Sequence, residues 1–334
     1  MSDKDAQVRA ERAGKPPAER QNILKNLFVD HDRFQQTTDA IARFHMPVNG
    51  GVHDVGSLFA LAGDPRTGKS HALERYADRY PVVRGKDGLL RPVVYVDMPI
   101  GCRRRSMLDR IAVALNAGRD PTVREDDVEA SVLNALREQE VQLLILDEYQ
   151  EAFVKADSRA VQQCNGVVRK ILNLRTLNVV AAGLVETYRM MESDRQLKGR
   201  GLLPHFIVTP YEWENKEERG VFRLLCDYID DRLPFLEKSG LGKQGFAHSL
   251  YWVTDGIIGG LKDFVFAAGC EALNDGSPRI TTDHCDLVWS RIRPVGMTFS
   301  PFRDAMSTAP RASALARPQP SGPSADRASA GAGG

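Results

Sequence analysis

No run in this sequence approaches the roughly eighteen consecutive apolar residues that a membrane-spanning helix needs, and the N-terminal MSDKDAQVRAERAGKPPAER has no apolar signal core. The expectation is a cytosolic, unanchored protein, cytoplasmic in location. Cysteine is sparse: Cys102, Cys164, Cys226, Cys270 and Cys285 are odd in number, scattered, and contain no C-x-x-C pair. That argues against a disulfide framework or a zinc site and fits a reducing compartment. An excess of one charge is also missing. The formal net charge is +1, which excludes a globally basic nucleic-acid binder, so any DNA contact must come from a local patch. What remains is an ordinary soluble composition, 42% hydrophobic and 27% charged, with 334 residues to fill one large or two smaller domains.

The chain is organised around GDPRTGKS, Gly63 to Ser70, which fits the phosphate-loop pattern G-x-x-x-x-G-K-[ST] at every fixed position. Val55 to Ala62 reads as a strand ending in that loop, and His71 to Tyr80 as an amphipathic helix with Leu73, Tyr76, Ala77 and Tyr80 on one face. The loop of Gly63, Asp64, Pro65, Arg66, Thr67 and Gly68 is expected to bind phosphate: its backbone N–H groups between Asp64 and Gly68 can curl around the anion, which the helix start near Lys69 also favours. Lys69 is expected to reach the β- and γ-phosphates and Ser70 to place its hydroxyl on Mg²⁺.

About eighty residues on, Val141-Gln-Leu-Leu-Ile-Leu ends in Asp147-Glu148, the pattern of a buried parallel strand that delivers acids to its C-terminal edge. Asp147 is expected to bind Mg²⁺, directly or through water, and Glu148 to polarise the water that attacks the γ-phosphate. Arg91 to Asp97 and Asn178 to Gly183 are further strand candidates, with helices between, so residues 55 to 183 read as a parallel α/β sheet wound on both faces.

Other segments fill out the plan. Residues 1–18 are charged and read as a mobile arm. Ile23, Leu24, Leu27 and Phe28, then Ile41 and Phe44, suggest two short helices that either pack over a nucleotide base or cap the sheet. Arg103, Arg104 and Arg105 form a local basic cluster at a strand-to-helix junction, a candidate grip on a phosphate backbone or a solvated turn. The strand tip Ala181-Ala182-Gly183-Leu184 offers no polar side chain to sense a γ-phosphate, Thr187 being the nearest hydroxyl. Arg200, with Arg195 behind it, is a candidate arginine finger onto a neighbouring subunit's nucleotide. From Glu212 the periodicity is helical throughout. Residues 211–306 therefore read as a small all-helical lid after the α/β domain of residues 19–210, with Lys262 a candidate nucleotide sensor. Trp252 and Trp289 read as core or interface residues. Residues 307–334, rich in Ala, Pro, Ser and Gly, read as a disordered tail.

Taken together, the phosphate loop, the LLILDEYQEAF strand, VVAAGLVETY, DRQLKGR and the helix ending YIDDRLP resemble the AAA+ ATPases, and more narrowly the TniB/TnsC group of bacterial transposons. The resemblance runs from about residue 20 to residue 293. Gln150 and Leu184 depart from the group, where His and a hydroxyl residue are frequent. The resemblance implies ATP as the nucleotide and slow, regulatory hydrolysis. It also implies ATP-dependent assembly on double-stranded DNA as a ring or helical filament that directs a DDE transposase, with a TniQ-type adaptor, to its target site. The alternative is an AAA+ ATPase that loads or remodels a protein partner without touching DNA; a non-hydrolysing nucleotide switch is a third reading, which the intact Asp147-Glu148 pair opposes.

Overall fold

The apolar runs alternate between two destinations, which fixes the architecture of the first half. In β5 (Leu143–Asp147), Leu144 and Leu146 face one core while Leu143 and Ile145 face another; in β6 (Asn178–Gly183), Val179 and Ala181 part from Val180 and Ala182 in the same way. A strand apolar on both faces must lie inside a sheet covered on both sides. The computed structural model, which describes residues 3–86, 88–118, 121–153, 158–194 and 203–309, has that arrangement. Its five-stranded sheet runs β4-β5-β6-β1-β7, every pairing parallel, with β1 at Leu58–Gly63, β4 at Val93–Asp97 and β7 at His205–Val208.

Helices α3 (Asp32–His45) and α4 (Lys69–Ala77) cover one face, with Ile41, Leu73 and Tyr76 in its core. Helices α5 (Arg104–Ala114), α6 (Glu125–Glu138) and α7 (Ser158–Leu172) cover the other, and α8 (Val185–Ser193) follows β6. The helical domain contains α9 (Lys216–Arg232), α10 (Gln244–Thr254), α11 (Ile258–Asn274) and α12 (Thr282–Ile292) around its own core. Trp252 and Trp289 meet edge-on in it, ring centroids 5.4 Å apart, and Trp289 donates to the Phe299 carbonyl at 2.9 Å. No helix among the described residues is long and apolar enough to cross a membrane.

The register brings the C-terminal ends of four strands side by side. Ala62 pairs with Gly183, Leu146 with Ala181, and Asp97 with Asp147. The phosphate loop and the acid pair therefore open onto one edge, with the tip of β6 between them.

Several expectations need correction. The strand into the phosphate loop begins at Leu58, not Val55, and the helix after it begins at Lys69 and ends at Ala77. A two-stranded antiparallel ribbon, β2 (Val83–Arg84) with β3 (Leu89–Leu90), precedes β4 and carried no sequence signal. The N-terminal segment is not a loose arm. Residues Asp3–Ala13 form α1 and Pro17–Lys25 form α2. Arg9 of α1 is buried against the helical domain, donating to the carbonyls of Asp230 at 2.6 Å and Glu237 at 3.1 Å. Of the tail, residues 310–334 lie outside the described residues.

Candidate nucleotide site

Between the end of β1 and the start of α4 the chain turns in a loop built for a bound anion. Gly68 caps α4 at φ 94°, a left-handed conformation that strains any side-chain-bearing residue, and this turn lets the first N–H groups of α4 open outward. Thr67 stiffens the loop, its hydroxyl donating to the Asp64 carbonyl at 2.8 Å. Lys69 is buried and donates to the Gly63 and Asp64 carbonyls at 2.9 and 2.8 Å. Burial lowers the Lys69 ammonium's pKa, while the nearby charges of Glu148, Asp147 and Asp64 oppose that shift. The electrostatic tie brings Glu148, just past the end of β5, together with the lysine that opens α4 after β1.

Arg66 points elsewhere. Its guanidinium pairs with Asp263 and donates to the Gly259 carbonyl at 3.1 Å, while the Gly259 N–H donates back to the Arg66 carbonyl at 2.9 Å. The phosphate loop is thus fastened to the first turn of α11.

At the edge of β5, Asp147 is buried and held from two sides. The Tyr95 hydroxyl donates to Oδ2 at 2.9 Å and the Glu148 N–H to Oδ1 at 2.9 Å. Tyr95, on the neighbouring strand β4, is shifted well above the ordinary phenol range by its burial and by Asp147, so it stays a donor. Glu148 itself sits at φ 52°, half-buried, where the chain leaves the strand. Gln150, two residues on and buried, donates its amide N–H to Glu148 and accepts the Leu184 N–H at 3.2 Å. Tyr95 was not singled out from sequence, and Gln150 only as a departure from the resembling group, with no role in the site.

The donor set fits Mg²⁺. Among the described residues no group of three His, Cys, Asp or Glu side chains is arranged to cage a metal. Mg²⁺ in a nucleotide site needs no such cage, taking most of its ligands from phosphate and water and only one or two from protein. The buried Asp147 carboxylate and the Ser70 hydroxyl at the start of α4 are the residues that would hold it.

A cavity of about 190 Å³ adjoins the loop, lined by Phe28, Phe34, Thr67, Gly68, His71 and Lys262 among others. Its mostly apolar wall comes from the connection between α2 and α3, and Phe28 packs on His71 with centroids 4.9 Å apart. Helix α3 caps the sheet, and the α2–α3 connection walls the cavity. Lys262, exposed on α11, lines the same cavity.

The arginine cluster is divided. Arg104 bonds Asp126 and Glu129 at 2.9 Å each and also pairs with Glu125, and these hydrogen bonds raise its pKa further. Arg105 pairs with Asp109 at 2.9 Å and donates to the Val123 carbonyl. Arg103 is exposed, beside Ile100, which is 93% exposed. The expectation of three arginines presented to DNA thus meets a correction: Arg104 and Arg105 are turned toward acids and carbonyls of this chain. Arg195 and Arg200 lie outside the described residues.

Similarities to known proteins agree with this geometry. Among solved structures, the fold matches Cdc6p from Pyrobaculum aerophilum with a TM-score of 0.58 and 17% identity, covering 83% of this chain and 72% of that one. It matches Drosophila ORC bound to DNA at 0.54 and 15%, covering 84% and 67%. The Aeropyrum pernix ORC1 protein in complex with DNA matches at 0.51 and 16%, covering 81% and 69%. These likenesses identify the AAA+ fold, a parallel sheet followed by a helical domain. No curated protein matches the chain. The model of the family described as "Bacterial TniB protein" matches residues 22–205, more than half of the chain, and spans both the phosphate loop and the acid strand; the protein belongs to the TniB family.

Proposed function

We propose that this protein is an ATPase that assembles on double-stranded DNA in its ATP-bound form and directs a DDE transposase to a target site. The observation that carries the ATPase part is the convergence of Lys69, Asp147 and Glu148 on one sheet edge beside the apolar cavity. The base sits against Phe28 and His71, the phosphates lie in the loop, and Lys69 leaves its carbonyl partners to reach the β- and γ-phosphates. Mg²⁺, held by Ser70 and Asp147, neutralises phosphate charge when bound. Glu148 takes the proton of the attacking water.

The DNA and transposition part rests on TniB membership and on fold neighbours whose structures include DNA. In this reading subunits form a ring or helical filament, an arginine of the next subunit, Arg200 or Arg195, completes each nucleotide site, and a TniQ-type adaptor joins the complex. Arg103, beside Ile100, is the DNA contact of the cluster. The engagement of Arg104 and Arg105 within the chain favours a second reading, in which the ATPase loads or remodels a protein partner without gripping DNA.

Fluorescence anisotropy of a labelled duplex with ATP, with ADP and without nucleotide tests the choice. Binding that requires ATP, falls steeply with salt, and is lost in Lys69→Ala and weakened in Arg103→Glu supports DNA assembly. No binding in any nucleotide state, alongside ATP turnover that Glu148→Gln abolishes, leaves the protein-remodelling reading.

A further inference from the structure

The tip of β6 lies between the phosphate loop and the acid pair, and the sequence puts only Ala182, Gly183 and Leu184 there. The place is nonetheless occupied by a polar group, brought in from the neighbouring strand. Gln150, 7% exposed in the one-turn helix after β5, lays its amide across the tip: Oε1 accepts the Leu184 N–H at 3.2 Å and Nε2 donates to the Glu148 carboxylate. The missing side chain at position 183 is what admits it. A Cβ built on Gly183 would lie 2.2 Å from Gln150 Oε1 and 2.6 Å from Thr187 Oγ1. Thr187 Oγ1 is itself buried and without a hydrogen-bond partner.

We propose that Gln150 is a positioning residue for ATP hydrolysis: its amide, anchored on the backbone of Leu184, holds Glu148 toward the phosphate loop, and Gly183 exists as glycine to let it dock. The direction follows from the sheet order. β6 separates β5 from β1, so a bond that draws the Glu148 carboxylate toward the β6 tip draws it toward the loop after β1. The charge of Glu148 felt at Lys69 agrees with that placement. The β6 tip itself carries no polar side chain, and the polar group arrives from the acid-bearing loop. The amide of Gln150 is spent on Glu148 and on the Leu184 N–H, so its effect is on where the base points and not on what the site binds.

The inference rests on the ATPase reading, and the experiment separates the two. Steady-state turnover and binding of a fluorescent ATP analogue are measured for the full chain and for Glu148→Gln, Gln150→Met, Gly183→Ala and the Gln150→Met/Gly183→Ala double variant, each first checked for an unchanged thermal midpoint. Turnover in the parent protein that vanishes in Glu148→Gln upholds the ATPase reading; no such difference removes that reading, whatever Gln150 does. Given turnover, Gln150→Met keeps the length of the side chain without its amide, and kcat is expected to fall at least about tenfold with analogue affinity within about twofold. Gly183→Ala, which displaces the amide without altering it, is expected to lower kcat in the same sense. Because both break one link, the double variant falls no further than the worse single. A kcat for Gln150→Met within about twofold of the parent, or losses that multiply in the double variant, overturns the proposal.

Discussion

At the scale of single residues, the acids of the candidate site are set by the side chains packed around them. Asp147 owes its geometry to Tyr95, whose hydroxyl crosses from β4 to reach it at 2.9 Å. Partners of a metal-binding carboxylate orient it and tune its affinity, and losing one typically costs about tenfold to a hundredfold in metal affinity or activity. Tyr95→Phe keeps the ring in place and removes that one donor. The Mg²⁺ concentration giving half-maximal turnover is therefore expected to rise about tenfold, with maximal turnover restored at high Mg²⁺. A Mg²⁺ titration checks it; an unchanged half-saturation would mean that the Glu148 N–H alone orients the carboxylate.

Among the secondary-structure elements, what could be read in the sequence and what could not divides along a physical line. β5 and β6 announced themselves because a strand buried on both faces is an uninterrupted apolar run, and the phosphate loop did so because its spacing is fixed by its own backbone. Helix α1 did not, since its stability comes from Arg9 meeting carbonyls more than two hundred residues away. The arginine cluster misled for the same reason: the acids that engage Arg104 sit on α6, about twenty residues on, and a list of charges does not show which of them face each other. The start of α3 is a second case. Its N-cap is His31, whose Nδ1 accepts the Phe34 N–H at 3.2 Å, and burial lowers its pKa to about 4 from an ordinary 6.5. The unfolded chain then takes up a proton near pH 6.5 that the folded chain refuses until about pH 4, so stability present above pH 6.5 drains away as the pH falls through that window. Asn caps a helix as well without titrating. His31→Asn is thus expected to match the parent at pH 7 to within about 1 kcal/mol and to lose less stability on going to pH 5, as read by urea unfolding at the two pH values. Parallel losses in the two proteins would clear His31 of any part in the acid sensitivity, and His45, buried and also lowered to about 4, would be the next imidazole to test.

For the whole molecule, the question is how the sheet domain, the helical domain and the N-terminal helices are made to act together. Among the joints are one between the phosphate loop and α11 through Arg66, Gly259 and Asp263, and one between α1 and the α9 end through Arg9. The first is exposed, its two side chains 55% and 66% accessible, so its ion pair adds little stability and its meaning is geometric: whatever moves the loop moves α11. The second is buried. Arg9 and Asp230 are 3% and 1% exposed and 4.0 Å apart, and Asp230 is further held by the Ser239 and Gly240 N–H groups at 3.0 and 2.6 Å. Removing the arginine leaves buried carbonyls and a buried carboxylate short of their cation, a loss on the order of 3 kcal/mol when one partner of a buried pair is deleted. Arg9→Met preserves much of the apolar stem and so isolates the charge. It is expected to lower the unfolding free energy of the helical domain by about that amount, with Asp230→Asn less damaging because its backbone donors remain. Denaturant unfolding followed by tryptophan fluorescence reads this directly, since Trp213, Trp252 and Trp289 lie in or against the helical core. If Arg9→Met unfolds with the parent's midpoint and slope, α1 is a passenger on the helical domain; if it falls as expected, α1 folds as part of that domain.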